Sequence, residues 1–554
     1  MRRDPPSAVL PVAENMSILC SRCRRFEADD QPITCVVLEG GPCSACRERT
    51  MIRQKIKQLE EELAKLKAKH DAVTSTMNAI HDPFIHKLPP EIGSHIFRLS
   101  LPTLSNGEHL EAILNLYENR SSAEILNLGA VCRKWRQLAW ATPDLWNTLY
   151  LRIGLETRQS LAESLPDLVR EWLERSGSLP LTIFFRHHPA YRDESSDDDE
   201  NKSEVDRDTL EIAIGLVIKT LSFHSQRWQN LSLMTTPEMF RRFSGSVQPN
   251  QVVGLGLRLC DDLYDLAPPN FMMESEFAPT RLMLGDFPLA SINIRWDNIT
   301  HITLRDINTE AYINILQRAT GLEYYNISIH SRCKIREPIV HPRLRSLHVS
   351  SVSRPGYIED FLGAITLPSL EEWTQNMCNQ YLPVAAMVSF FKRSGCCLKV
   401  LHLATISQLS KAKHLTTLLR AIPTLERIHL SSNYINKPKM DNVLAQIFLP
   451  APGSGSTLVE GHTADSFLPR LQFMECNTAF SSPFSWDRIP QLYRQGHRRS
   501  LVLKTMVKKS DISDETALQF LQLADEGLDL QIFDFSIGGC FLENFRKRMC
   551  EQGV

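Results

Sequence analysis

The sequence predicts an α/β chain: a long N-terminal helix, a small all-α module, and an irregular α/β solenoid over the C-terminal two-thirds. Three observations predict it. Apolar residues alternate spacings of four and three from Ile52 to Ile80, and helical stripes punctuated by proline crowd residues 83–151. An apolar-x-x-apolar-x-apolar motif then returns at steps of 23, 22, 26, 28 and 27 residues between positions 299 and 425. At 554 residues the chain exceeds what one core ordinarily serves, so several domains or a repeat array are expected. The expected divisions are a cysteine-bearing segment at 1–46, the helix at 47–82, the all-α module at 83–151 and the solenoid at 152–554.

Composition narrows the class. Hydrophobic residues make up 43% and charged residues 23%, the balance of a soluble globular protein. A formal net charge of -2 gives no general attraction to nucleic acid or anionic membrane. No apolar run reaches the roughly 18 to 20 residues that span a bilayer. The opening Met1-Arg2-Arg3-Asp4-Pro5-Pro6 has no apolar core or cleavage site of a secretory signal. A cytoplasmic or nuclear protein with neither nucleic-acid nor membrane partners is therefore expected.

Five of the 14 cysteines fall between residues 20 and 46. The pairs Cys20-x2-Cys23 and Cys43-x2-Cys46 have the spacing of a four-thiolate zinc site, each pair offering two ligands from one turn to a tetrahedral ion. Pro42-Cys43-Ser44-Ala45-Cys46-Arg47 faintly resembles half of a fungal binuclear zinc cluster, a family that needs six cysteines in other spacings. The segment is read either as a structural zinc site or as a poorly ordered tail; no cofactor is otherwise required. The remaining cysteines read as small apolar residues of a reducing compartment.

The helix at 47–82 carries its seam on Ile52, Ile56, Leu59, Leu63, Leu66, His70, Val73, Met77 and Ile80, the a/d pattern of a coiled coil. Glu60, Glu61 and Glu62 beside Lys65, Lys67 and Lys69 mark the other faces as solvated. Folding back on the next domain is the expected cover for this seam, and a homodimer through residues 52–80 is the alternative. Pro83 ends the helix.

In the module that follows, Leu88-Pro89-Pro90-Glu91-Ile92 opens a helix with prolines in its first turn and an acid near its positive end. Ile92, Ile96, Phe97 and Leu99 continue it. Leu126, Leu128, Val131, Cys132, Trp135, Leu138 and Ala139 form a second apolar stripe, and Thr142-Pro143-Asp144 starts a last turn carrying Leu145, Trp146 and Leu149.

The run Ile85 to Phe97, followed by Val131-Cys132-Arg133-Lys134-Trp135-Arg136 and Thr142-Pro143-Asp144-Leu145-Trp146, resembles an F-box, in the form found in mushroom-type fungal F-box proteins. It departs from that pattern where residues 103–124 lengthen the first inter-helix link. The resemblance implies a helical plug that docks on a Skp-family adaptor and through it on a cullin, as the substrate-recognition subunit of a ubiquitin ligase. Leu88, Pro89, Ile92, Ile96, Val131, Cys132, Trp135 and Leu138 are the expected adaptor-binding residues. For Trp135 and Trp146, core and interface stand equal.

The recurring motif comprises Ile299, Ile302, Leu304; Leu322, Tyr325, Ile327; Leu344, Leu347, Val349; Leu398, Leu401, Leu403; and Leu425, Ile428, Leu430. Weaker copies begin at Leu370 and Leu471, and Leu181–Phe185 and Leu231–Leu233 read as earlier ones. Helical stretches between copies give a helix-loop-strand unit near the leucine-rich-repeat period, stacked to form a surface for a protein target; an α/β domain without true repeats is the alternative. The acidic run 193–206 reads as a disordered loop. Gly-x-Ser-x-Gly, Gly-x4-Gly-Lys-Ser/Thr and His-Glu-x-x-His are all absent, so no catalytic residue is expected. Gly254-x-Gly256 is read as part of a strand edge and His187-His188 as a surface loop.

Overall fold

The computed structural model describes residues 43–81, 88–101, 122–154, 157–188, 207–245, 251–260, 268–305, 307, 309–332, 338–351, 356–377, 382–404, 412–432, 437–448, 467–478, 484–495, 502–507, 512–528, 530–534 and 539–552. The acidic run 193–206 lies outside them. The chain divides into two compact units, Met1–Gly93 with Gly129–Leu138, and Ser94–Leu128 with Ala139–Val554.

In the first unit, helix α1 (Ser44–His81) is rich in Lys, Glu, Ala, Leu and Ile, with no glycine or proline in its length. It starts three residues before the boundary expected at 47. It stops just before Asp82-Pro83, where the ring of a proline disfavours helical backbone at the preceding residue. Ile52, Ile56, Leu59, Leu63, Leu66, Val73 and Met77 are each 49% to 64% exposed.

The second unit is a mixed α/β assembly on a largely parallel sheet. Its strands are β1 (Thr148–Gly154), β2 (Leu181–His188), β3 (Trp228–Thr235), β4 (Gly254–Leu259), β5 (Arg281–Gly285), β6 (His301–Arg305), β7 (Tyr324–Ile329), β8 (Ile339–Val340), β9 (Ser346–Ser351), β10 (Ile365–Thr366), β11 (Glu372–Met377), β12 (Val400–Ala404), β13 (Arg427–Ser432), β14 (Phe473–Thr478), β15 (Val502–Val507), β16 (Leu530–Asp534) and β17 (Gly539–Cys540). Among the described residues fifteen of them form one sheet in strict chain order, with β8 and β10 paired separately. Every neighbour in the large sheet is parallel except β16 and β17. His187 and His188 belong to β2 and not to a loop, and His187 is buried. Burial and the neighbouring His188 push its imidazole down to about 4.

Register explains why the sheet holds. Leu149, Ile183, Leu231, Leu255, Leu282, Ile302, Tyr325, Leu347, Trp373, Leu401, Ile428 and Met474 stand opposite one another in a continuous buried row. A second buried row lies two residues on, from Leu151 to Cys476, because strand side chains alternate between faces. Helices cover this face. In Thr309–Arg318, Tyr312, Ile315 and Leu316 are buried, and in Ala412–Arg420, Leu415, Leu418 and Leu419, the spacing of one helical face. Cys260 and Cys476 are buried, matching the reading of scattered cysteines as small core residues, whereas Cys397 and Cys550 are exposed.

A main-chain feature repeats with the strands. The carbonyl of Val253 accepts hydrogen bonds from two successive amides, those of Thr280 and Arg281, at 2.9 and 3.0 Å. The carbonyls of Thr280, Thr300, Glu323, Arg345, Glu371, Lys399 and Glu426 each do the same for the next unit along. Equivalent backbone groups thus meet equivalent partners from one unit to the next.

Candidate protein-docking surfaces

The all-α module is assembled from four short elements. Pro90–Ser100 is the first helix; its opening turn is fixed by the Pro89 carbonyl, which accepts from the amides of Ile92 and Gly93 at 3.0 and 3.2 Å. Proline there loses nothing, because first-turn amides have no intrahelical partner. The apolar stripe between Leu126 and Ala139 is carried by two helices, Ala123–Val131 and Arg133–Trp140. The interruption is Cys132. Its thiol accepts the Trp135 amide at 3.4 Å, and its carbonyl accepts the Arg136 amide at 3.0 Å. That is the pattern of a residue capping the start of a new helix. Arg136 Nε donates to the Gly129 carbonyl at 2.8 Å and ties the two helices together.

The expected adaptor-binding residues separate into two groups. Pro89, Ile92 and Val131 are exposed, Ile92 at 46% and Val131 at 52%. Leu88, Ile96, Cys132, Trp135 and Leu138 are half-buried. Leu138 packs so closely over Gly93 that a Cβ there would lie 2.6 Å from its Cδ2, so Leu138 builds the module more than it presents a surface. Cys132 likewise acts through its cap.

Trp146 belongs to the core. It is 1% exposed, its indole N–H donates to the Ala139 carbonyl at 2.7 Å, and its ring meets Trp172 edge-on at 4.7 Å. The Arg175 guanidinium lies 4.7 Å from the Trp146 ring and 4.5 Å from Trp140, a cation over aromatic faces. The last turn, Pro143–Leu145, is anchored by a 2.8 Å hydrogen bond between the hydroxyls of Ser94 and Thr142.

Of the four thiols expected to hold zinc, Cys20 and Cys23 lie outside the described residues. Cys43 precedes α1 and Cys46 sits in its first turn, both half-buried. Among the described residues no group of three or more His, Cys, Asp or Glu is arranged for a metal ion.

The other face of the sheet carries a polar row that the apolar motif concealed. His348, Thr374, His402, His429, Glu475 and Lys504 occupy consecutive opposed positions on six strands. On β9, β12, β13 and β14 their sequence signal is the residue between the last two apolar positions of the motif. His429 Nδ1 lies 3.2 Å and Lys504 Nζ 3.4 Å from Glu475 Oε2, and Asn477 donates to Glu475 Oε1 at 2.7 Å. Burial alone would raise the Glu475 carboxyl, but the Asn477 hydrogen bond and the charges of Lys504 and His429 hold it below the usual range. The His402 and His429 rings are 5.4 Å apart. Burial, then His429, lowers the His402 imidazole against the opposing pull of Glu475 and Glu372.

Among the described residues no helix is long and apolar enough to cross a membrane. Curated proteins provide no match to the chain. Residues 85–152 match the F-box-like family, so the four-element module just described is an F-box-like domain.

Proposed function

We propose that this chain is a non-catalytic substrate-recognition subunit of a Skp-cullin-F-box ubiquitin ligase, of the mushroom-type fungal kind. Its F-box-like domain docks a Skp-family adaptor, and the C-terminal unit is an irregular leucine-rich-repeat-like solenoid that grips a protein target. F-box domains generally bind such adaptors. The observation that carries the reading is the coincidence of that domain match with exposed aliphatic groups, Ile92 and Val131, on its helices. Helix-in-groove contacts bury side chains of this kind. The doubled hydrogen bond on successive carbonyls supports true repeats over an unrepeated α/β domain.

The target-binding part is assigned to the polar row of the sheet, because the opposite face is already covered by helices. Co-purification with cullin activity blocked tests it. The full chain is expected to retain adaptor, cullin and a set of target proteins. A His402→Glu, His429→Glu variant is expected to keep adaptor and cullin and lose the targets; an unchanged target set would count against this face.

A second reading, a scaffold without ligase work, is favoured by the uncovered seam of α1 and predicts self-association with no adaptor in the same purification. The four N-terminal thiols are proposed as a structural zinc site. Elemental analysis of the full chain is expected to give one zinc per chain, lost in Cys43→Ser, Cys46→Ser; less than half an equivalent in the parent counts against it.

A further inference from the structure

We infer that α1 pairs with the same helix of a second copy as a parallel, in-register, two-stranded coiled coil. The inference does not depend on the ligase reading. It rests on an apolar seam left open in the single chain and on the charges flanking that seam.

The seam assigns heptad positions without ambiguity. Ile56, Leu63, His70 and Met77 fall at a, and Ile52, Leu59, Leu66, Val73 and Ile80 at d. The flanking g positions are then Glu48, Lys55, Glu62 and Lys69, and the e positions Arg53, Glu60, Lys67 and Thr74. In a parallel dimer each g residue faces the e residue five positions on in the partner. Glu48 meets the partner's Arg53, Lys55 the partner's Glu60, and Glu62 the partner's Lys67. All three pairs are opposite in sign, and the sign alternates from one heptad to the next.

This alternation fixes register. A slip of one heptad sets Glu48 against the partner's Glu60 and Lys55 against the partner's Lys67. Of the antiparallel alignments that pair most of the seam, the best, with Leu63 facing the partner's Leu66, leaves two attractive pairs per helix, Glu60 with Lys67 and Glu62 with Lys69; setting Ile56 against the partner's Leu59 gives three but leaves the seam beyond Leu63 without apolar partners. The parallel in-register form has three. His70, the one polar residue of the seam between Ile52 and Ile80, meets its own copy in that form. A single polar a position is a device that specifies register at a cost in stability. A seam of four heptads exposed on both copies has no other cover among the described residues.

One consequence concerns geometry at the C-terminal end. Parallel helices bring both copies of Ile80 together, and Leu88 follows eight residues later, so both F-box-like domains leave the coil from the same end.

The test uses the full chain. Sedimentation equilibrium at about 10 μM is expected to give twice the chain mass; a monomer there overturns the inference. Glu60→Lys with Glu62→Lys, and separately Lys55→Glu with Lys67→Glu, change only exposed side chains and leave the seam intact. Each variant alone is expected to dimerise at least ten-fold more weakly, and an equimolar mixture to form heterodimer; unchanged self-association in both overturns the role of the charges. Orientation is read by Met77→Cys under mild oxidation, with peptide mapping expected to find the introduced thiol of one copy joined to the introduced thiol of the other. In the antiparallel alignment the two sulfurs stand roughly 37 Å apart at 1.5 Å per residue, so absence of that link overturns the parallel form. Adaptor capture measured on the same charge variants is expected to be unchanged, which separates failure of the coil from failure of the ligase reading.

Discussion

Replacing Ile92 and Val131 together by aspartate is expected to abolish capture of a Skp-family adaptor while leaving the chain folded. Both side chains are about half exposed in the free chain, at 46% and 52%, so about half of their burial is left for a partner to complete. Full burial of an aliphatic side chain contributes about 1.5 to 3 kcal/mol, which leaves roughly 0.8 to 1.5 kcal/mol per position. Losing both weakens binding about 10- to 100-fold, since about 1.4 kcal/mol is a factor of ten. An aspartate adds a larger effect, because an unpaired carboxylate buried at an interface costs several kcal/mol unless it is neutralised. Loss of at least 1,000-fold is therefore expected by surface plasmon resonance against purified adaptor. An unaltered thermal unfolding midpoint is the necessary companion, and exposed positions favour it. Ile96 is the poorer choice because it is half-buried in its own chain. Ile96→Asp alone is expected to mix a folding defect with a binding defect. Adaptor affinity within ten-fold of the parent in the Ile92, Val131 double variant would remove the docking assignment.

How far the sequence led depends on which physical signal each element carries. The units at Ile299, Leu322, Leu344, Leu398 and Leu425 were readable because a strand buried on one face alternates with period two, and β6, β7, β9, β12 and β13 fall on them. β4 carries the same motif at Val252, Leu255 and Leu257, all buried, but its glycines read only as part of a strand edge. Far from an edge, β4 pairs on both sides, and a Cβ at Gly256 would lie 3.4 Å from the Ser232 hydroxyl. β15 gave no signal, since Ser500 and Thr505 stand where the motif needs apolar residues. In the F-box-like domain the family signatures located the module within two residues, yet they did not show the break at Cys132. An apolar stripe looks continuous whether or not one of its members is capping a helix. Exposure at Ile92 and burial at Trp146 were equally hidden, because side-chain type says little about which of two neighbours covers it.

Trp373→Ala is expected to be the most damaging single substitution in the sheet unit. Trp373 is fully buried at the centre of the first apolar row, with Phe390 and Phe391 of the helix Val384–Ser394 at 5.5 and 5.8 Å. Truncating a buried tryptophan costs about 3 to 5 kcal/mol, part of it from the cavity that remains. The second apolar row adds a further loss, because its one polar member, Gln375, is also fully buried and its Oε1 accepts the Trp373 indole N–H at 3.3 Å. Removing the donor takes one hydrogen bond from a buried amide, a net loss of about 0.5 to 1.5 kcal/mol. The combined loss of roughly 3.5 to 6.5 kcal/mol is comparable to the total stability of an ordinary domain, about 5 to 15 kcal/mol. Urea titration followed by far-ultraviolet circular dichroism is expected to show the midpoint collapsing or the unit unfolded without denaturant. The pair also predicts its own repair. Trp373→Phe with Gln375→Leu removes donor and acceptor together, keeps an aromatic ring against Phe390 and Phe391, and is expected to recover at least half of the lost stability. If Gln375→Leu alone were as harmless as the double variant, the hydrogen bond would have no part in holding these two strand positions.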